Sequence, residues 1–137
     1  MKITALETIQ LPHLNNILWL HVHTDQGLIG LGETFRGADA VVTYLHKDVA
    51  PLLIGRNPLE IDAISKSLTE TYVGFRSSGV EMRAASAVDI ALWDLLGKAL
   101  NQPVSRLLGG CYRDRIKPYG SLLFDEPDAL REKLRAA

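Results

Sequence analysis

Residues 79–110 read GVEMRAASAVDIALWDLLGKALNQPVSRLLGG, a helix of nearly apolar composition with one narrow polar strip. At about 100° per residue, Arg83, Ser86, Asp94 and Lys98 fall within roughly one third of the circumference. Val80, Met82, Val88, Ile90, Leu92, Trp93, Leu95, Leu96 and Leu100 cover the rest. Such a helix is expected to be buried and to need packing partners on several sides. Asp94 and Lys98 are four apart with the acid first, the favourable order for an exposed pair worth about 0.2–0.5 kcal/mol. Asp89 lies off the strip, and a buried carboxylate needs a hydrogen-bonding or cationic partner. Arg113 and Arg115, just past the helix, are within reach as candidates, and a structural cap or ion pair is expected ahead of a catalytic role.

Upstream of this helix the period is that of strands. Residues 2–11 (KITALETIQL) and 17–24 (ILWLHVHT) alternate, and Asp25-Gln26-Gly27 makes a short turn with glycine placed for positive φ. Residues 28–35 then return, so 17–35 reads as a β-hairpin. Gly30 and Gly32 weaken this third strand and point to a close approach by another backbone or side chain. They are not a phosphate loop, because a third glycine and a helix start are missing. From Asp39 the period becomes helical, with Val42, Leu45, Val49 and Leu52 on one side and an end near Pro51 and Gly55. Asn57-Pro58-Leu59-Glu60 has the pattern of a capping box, which predicts a helix from Pro58 to Tyr72 with Ile61, Ile64, Leu68 and Tyr72 as its apolar stripe. Residues 73–79 are a polar link. Three strands followed by three helices define an α+β class, a three-stranded antiparallel sheet packed on helices.

The 137 residues suit one domain of ordinary size, and 47% apolar content is enough for a core. A formal charge of −1 without a basic cluster removes the electrostatic footprint of a nucleic-acid binder. The longest apolar runs fall far short of the ~20 residues of a membrane span, and residues 1–4 open directly into a strand without a signal-peptide core. No nucleic acid and no membrane are expected as partners, and a cytoplasmic location is expected. The single cysteine, Cys111, has no internal disulfide partner and reads as a small buried residue.

After Gly110, Arg113-Asp114-Arg115 leads into a strand-like run, Ile116–Leu123, and Pro127–Ala137 has the composition of an outer amphipathic helix with no stop signal. The chain reads as ending inside an element. The GLGE after the hairpin, the AASAVDIALWDLLGKALNQPVSRLLGG helix and the RDRIKPYGS beyond it, in this order and spacing, resemble the amino-terminal third of an enolase-superfamily enzyme of the mandelate racemase and muconate lactonizing type. The resemblance spans residues 1–137. It implies a capping domain over residues 1–112 and the first β/α unit of an incomplete TIM-like barrel over 113–137.

The resemblance further implies an enzyme that abstracts the proton α to a carboxylate and stabilises the enediolate on Mg²⁺. The metal ligands and bases sit on later barrel strands in that family, so no catalytic or metal residue is assigned, and the 137-residue chain alone is expected to be inactive. Lys117-Pro118-Tyr119 is not the family's lysine-x-lysine motif. What the resemblance carries over is the substrate lid: His13-Leu14-Asn15-Asn16 and Glu33-Thr34-Phe35-Arg36-Gly37. Asn15 and Asn16 suit hydroxyls, Arg36 suits a carboxylate, Phe35 lies beside it, and Ser121 stands near the C-terminal end of the first barrel strand, where barrel sites form. The competing reading is plain turn chemistry and a solvated arginine. A polar, cationic lid favours a small hydroxylated carboxylate, an acid sugar, and hence a dehydratase. A racemase or cycloisomerase would use the same positions, and a non-catalytic interaction module or half of a split enzyme is the rival from another class. A homo-oligomer is expected.

His21 and His23, two apart in a strand, share a face and could begin a metal site, but the sequence offers no third ligand beside them. With Trp19 on the same face, a solvent-facing or lightly covered strand surface is expected. His46, beside Lys47, is expected to be exposed.

Overall fold

The alternation in ILWLHVHT sets the two sides of the sheet. Leu18, Leu20, Val22 and Thr24 are buried, while Ile17, Trp19, His21 and His23 lie on the other, half-exposed face. The computed structural model describes residues 1–70, 79–118 and 125–136. Strands β1 (Ile3–Ile9), β2 (Ile17–Thr24) and β3 (Ile29–Phe35) pair antiparallel in sequential order. The expected turn joins β2 to β3, with Gly27 at φ +76° and its N–H donated to the Thr24 carbonyl at 3.2 Å. Glu7 stands opposite His21, His21 opposite Leu31, and Leu20 opposite Gly32; the β1–β2 register shifts between Ile3 and Ala5.

Helices cover the buried face: α1 (Ala38–Tyr44), α2 (Ala50–Leu53), α3 (Ile61–Thr69) and the long α4 (Gly79–Leu100); the short α5 (Val104–Leu107) packs against α4, and α6 (Pro127–Ala136) stands later in the chain. The side of α4 turned to the core is unusually small: Ala84, Ala85, Ala87, Ala91 and Gly97 are buried with Val88, Leu92 and Leu95. Small side chains let α4 lie directly on β3, and the glycines answer them. A Cβ at Gly32 would overlap the Ala87 carbonyl oxygen, and one at Gly30 would overlap the Ala91 carbonyl oxygen and lie 2.6 Å from Leu95 Cγ. The close approach expected from the two glycines is the packing of α4.

The polar strip of α4 does more than face solvent. On the side of β3 away from β2, Lys98 Nζ donates to the Ile29 carbonyl at 2.7 Å, the Leu31 N–H donates to Asp94 Oδ2 at 2.7 Å, and Arg83 Nη1 donates to the Phe35 carbonyl at 2.6 Å. Asp94 and Lys98 also form the expected pair at 2.7 Å. An unpaired strand edge invites association with another chain; here a helix supplies the missing partners. Asp94→Ala is expected to cost about 1.5 kcal/mol, the low end for a hydrogen bond to a charged group, and to speed exchange of the Leu31 amide. Exchange at Leu31 unchanged by the substitution would show that Asp94 does not hold the edge.

Four expectations need correction. First, α4 is not buried all round: Ile90 and Leu100 are about half exposed and Trp93 is half-buried, because the sheet, α1 and α3 cover only part of its circumference. Second, the helix from Asp39 ends at Leu53, between Pro51 and Gly55 as expected, but its apolar stripe is not Val42, Leu45, Val49 and Leu52. It passes through a widened π turn, Leu45–Val49, into α2, and its buried stripe is Val41, Leu45, Val49 and Leu53, with Leu52 exposed. A spacing of four drifts by about 40° per step on an α-helix; the wider turn takes up this drift ahead of Pro51, which has no N–H to give. Third, Asn57–Glu60 is a separate turn: Asn57 Oδ1 accepts the Leu59 N–H at 3.2 Å, and α3 starts only at Ile61. Fourth, Cys111 is exposed, since Gly109 and Gly110, both at positive φ, turn the chain away from the core. Residues 71 and 72, most of the strand Ile116–Leu123, and Ser121 lie outside the described residues. No described helix is long and apolar enough to cross a membrane.

Candidate substrate-lid site

The two segments singled out as a lid meet at one end of the sheet. The β1–β2 connection carries a 3₁₀ turn at Pro12–Leu14 followed by Asn15 and Asn16, both exposed, and their side chains make no hydrogen bond among the described residues. The Arg36 N–H donates to the Asn16 carbonyl at 2.8 Å and ties the two connections together. Glu33, Thr34 and Phe35 belong to β3 itself, so the second lid segment is shorter than expected: only Arg36 and Gly37 turn the chain into α1. Both are left-handed, at φ +65° and +64°. For arginine this conformation costs about 1–2 kcal/mol, which the bond to Asn16 helps to offset.

Phe35 is 55% exposed and lies between two cations: the Arg36 guanidinium is 5.6 Å from its ring centre and that of Arg83 is 5.5 Å away. Each such contact contributes about 0.5–1 kcal/mol at an exposed site. A cleft of about 370 Å³ opens here, lined by Glu33, Phe35, Met82, Arg83 and Ser86 among others. The Glu33 carboxylate in this cleft accepts the Trp19 Nε1–H at 2.7 Å. Arg83 is the residue at this corner that sequence reasoning left out. Its place on the polar strip is legible, but its reach to Phe35 depends on how α4 crosses β3.

A second cleft, about 530 Å³, lies against the exposed side of α4 between Leu31, Asp89, Ile90, Trp93 and Leu108. Neither Arg113 nor Arg115 pairs with Asp89, which has no hydrogen-bond or ionic partner among the described residues; both arginines are exposed beyond the turn at Gly109-Gly110. Partial burial raises the Asp89 pKa above the ordinary carboxylate value. The unfolded chain therefore ionises first. Stability on this account is complete below the unfolded pKa of about 3.9 and declines as pH rises through the folded value. Asp89→Asn is expected to gain on the parent protein as pH rises from 4 towards about 7; denaturant midpoints of the two proteins that keep a constant difference would refute this.

On the open face of the sheet, the structure supplies what the sequence did not: a third group beside His21 and His23. Glu7 Oε2 lies 2.8 Å from His23 Nε2 and 3.2 Å from His21 Nδ1. Hydrogen bonds from His23 and then His21 hold the Glu7 carboxyl below its usual pKa. His46 is exposed, with Nε2 3.0 Å from Thr8 Oγ1. Among the described residues, Glu7, His21 and His23 are the one group of three His, Cys, Asp or Glu side chains close enough to share an ion. Its nitrogen-rich donors do not fit Mg²⁺, which takes an octahedron of oxygens.

Residues 4–109 match the N-terminal domain of mandelate racemase and muconate lactonizing enzyme. The chain belongs to that family, as the three-stranded sheet and its helices lead one to expect. It is 45% identical over 121 residues to a D-galactonate dehydratase family member from Streptomyces bingchenggensis, covering 85% of this chain and 29% of the relative. It is 44% identical over 124 residues to a D-mannonate dehydratase from Novosphingobium aromaticivorans, covering 88% of this chain and 30% of the relative. An enolase of the mandelate racemase subgroup from Agrobacterium tumefaciens superposes with a TM-score of 0.76 at 58% identity, over 80% of this chain and 30% of that one. The chain thus spans about 30% of the length of these relatives.

Proposed function

We propose that residues 1–112 are the capping domain, and 113–137 the start of the β/α barrel, of a Mg²⁺-dependent enzyme that removes the proton α to a carboxylate, and that its reaction is the dehydration of an acid sugar. The observation that carries this reading is the corner of Phe35, Arg36 and Arg83, tied through the Arg36 N–H to the connection that bears the exposed Asn15 and Asn16. Guanidinium groups suit a carboxylate, and side-chain amides suit hydroxyls. The relatives named D-galactonate and D-mannonate dehydratase support that substrate class. The apolar cleft around Ile90 and Trp93 supports a capping role, because α4 keeps a face that a barrel would cover. Mg²⁺ and the bases are ascribed to strands of that barrel.

The test uses the full-length protein with Mg²⁺ and a panel of sugar acids that includes D-galactonate and D-mannonate. Dehydration of at least one of them is expected. Arg36→Ala should raise KM by about tenfold or more, the loss of a charged hydrogen bond of roughly 1.5–3 kcal/mol, with a smaller change in kcat. Exchange of the α-proton without dehydration would indicate a racemase instead, and a KM indifferent to Arg36 would remove the lid from substrate recognition.

A further inference from the structure

We propose that Glu7, His21 and His23 form a binding site for a divalent ion of the Zn²⁺ type on the open face of the sheet. The site is independent of the Mg²⁺ chemistry ascribed to the barrel. Strand geometry builds it. The period of two sends both imidazoles to one face, and the β1–β2 register sets Glu7 directly opposite His21 and the small Ala5 opposite His23. No bulky side chain on β1 therefore stands between the carboxylate and the second ring.

The three donor atoms lie within 4.8 Å of one another, with separations of 2.8 and 3.2 Å from the Glu7 oxygen. Metal–ligand distances of about 2.0–2.2 Å around a tetrahedron place neighbouring donors about 3.3–3.5 Å apart. The two separations from the Glu7 oxygen reach that spacing by opening a few tenths of an ångström, and the two ring nitrogens, within 4.8 Å of each other, reach it by closing on the ion. The rings are not stacked: their centres are 6.0 Å apart and their planes stand at 76°, which leaves both nitrogens free to point inward. Two imidazoles and one carboxylate are the donors of a borderline metal such as Zn²⁺ or Co²⁺, not of Mg²⁺ or Ca²⁺. The histidines are 31% and the glutamate 54% exposed, so an ion has an entry path, and its fourth position is open to water. The other carboxylate on this face, Glu33, is taken by Trp19 and does not compete. An ion held there would clip β1 to β2.

The tag-free 137-residue chain, stripped with a chelator, is titrated with Co²⁺ and then Zn²⁺. Ligand-field bands of a tetrahedral Co²⁺ complex saturating at one equivalent are expected, lost on adding Zn²⁺ and unaffected by excess Mg²⁺. Since losing a mere supporting contact of a metal ligand costs about 10–100-fold in affinity, Glu7→Gln and His23→Gln should each weaken binding at least about tenfold. His13→Gln, at an exposed histidine outside the cluster, should not. In the unsubstituted protein, Zn²⁺ should shift the ¹⁵N signals of His21 Nδ1 and His23 Nε2, a readout that holds even if a variant fails to fold. Absence of the Co²⁺ bands, equal affinity in folded Glu7→Gln, or unmoved ring nitrogens would overturn the proposal.

Discussion

Gly32→Ala is expected to destabilise the protein by about 3 kcal/mol or more, the upper range for forcing atoms into a packed interior. The added Cβ would overlap the carbonyl oxygen of Ala87 and lie 2.9 Å from its carbonyl carbon. These are backbone atoms of α4, so no side-chain rotation relieves the clash. The helix has to lift off β3, and its contacts through Ala87 and Ala91 and its hold on the strand edge loosen together. Gly27→Ala isolates the alternative cause of cost. Gly27 has a φ of +76° with nothing within 4 Å of a Cβ, so only the conformational penalty of about 1–2 kcal/mol applies. Urea denaturation of both variants is the measurement, and equal midpoints would mean that α4 moves outward at little cost.

Leu92→Ala is expected to cost about 2–5 kcal/mol, as for other leucines cut from a packed core. Leu92 is fully buried among the side chains that α4 sends to the sheet. Trp93→Ala should cost less than the roughly 3 kcal/mol at which fully buried aromatics begin, because one side of the indole borders the open cleft with Ile90 and Leu108. A thermal or denaturant ranking that puts Trp93 above Leu92 would reverse the assignment of the two faces of α4.

The residues whose partners are local in sequence were the legible ones. Alternation in 17–24, the Asp25-Gln26-Gly27 turn and the returning strand are properties of adjacent residues, and they gave the sheet its order and faces. Gly30 and Gly32 announced a close neighbour without naming it. The neighbour was hard to name because the apolar bulk of α4 lies in its large residues, whereas the close contact with the β3 glycines is made at Ala87 and Ala91. Hydrophobicity says that Trp93 and Ile90 prefer burial; it does not say which side of a helix the sheet occupies. The corner at Phe35 was half legible. Asn16 and Arg36 fall in adjoining connections as the resemblance implied, but Arg83, which is 48 positions from Phe35, joins them only through tertiary packing. Glu7 was hidden for a related reason, since its place beside the histidines follows from a β1–β2 register that periodicity does not fix.

The hydrogen bonds by which α4 holds the edge of β3 all fall on main-chain atoms of the strand: the carbonyls of residues 29 and 35 and the amide of residue 31. A peptide group offers the same donor and acceptor whatever residue bears it, proline's missing N–H aside. The outward side chains of Ile29, Leu31, Glu33 and Phe35 therefore take no part in these three bonds, although Phe35 and Glu33 have contacts of their own with Arg83 and Trp19. They can be exchanged while the scaffold beneath keeps its register, so the rim of the sheet is a surface on which new chemistry can be written without redesigning the fold that carries it.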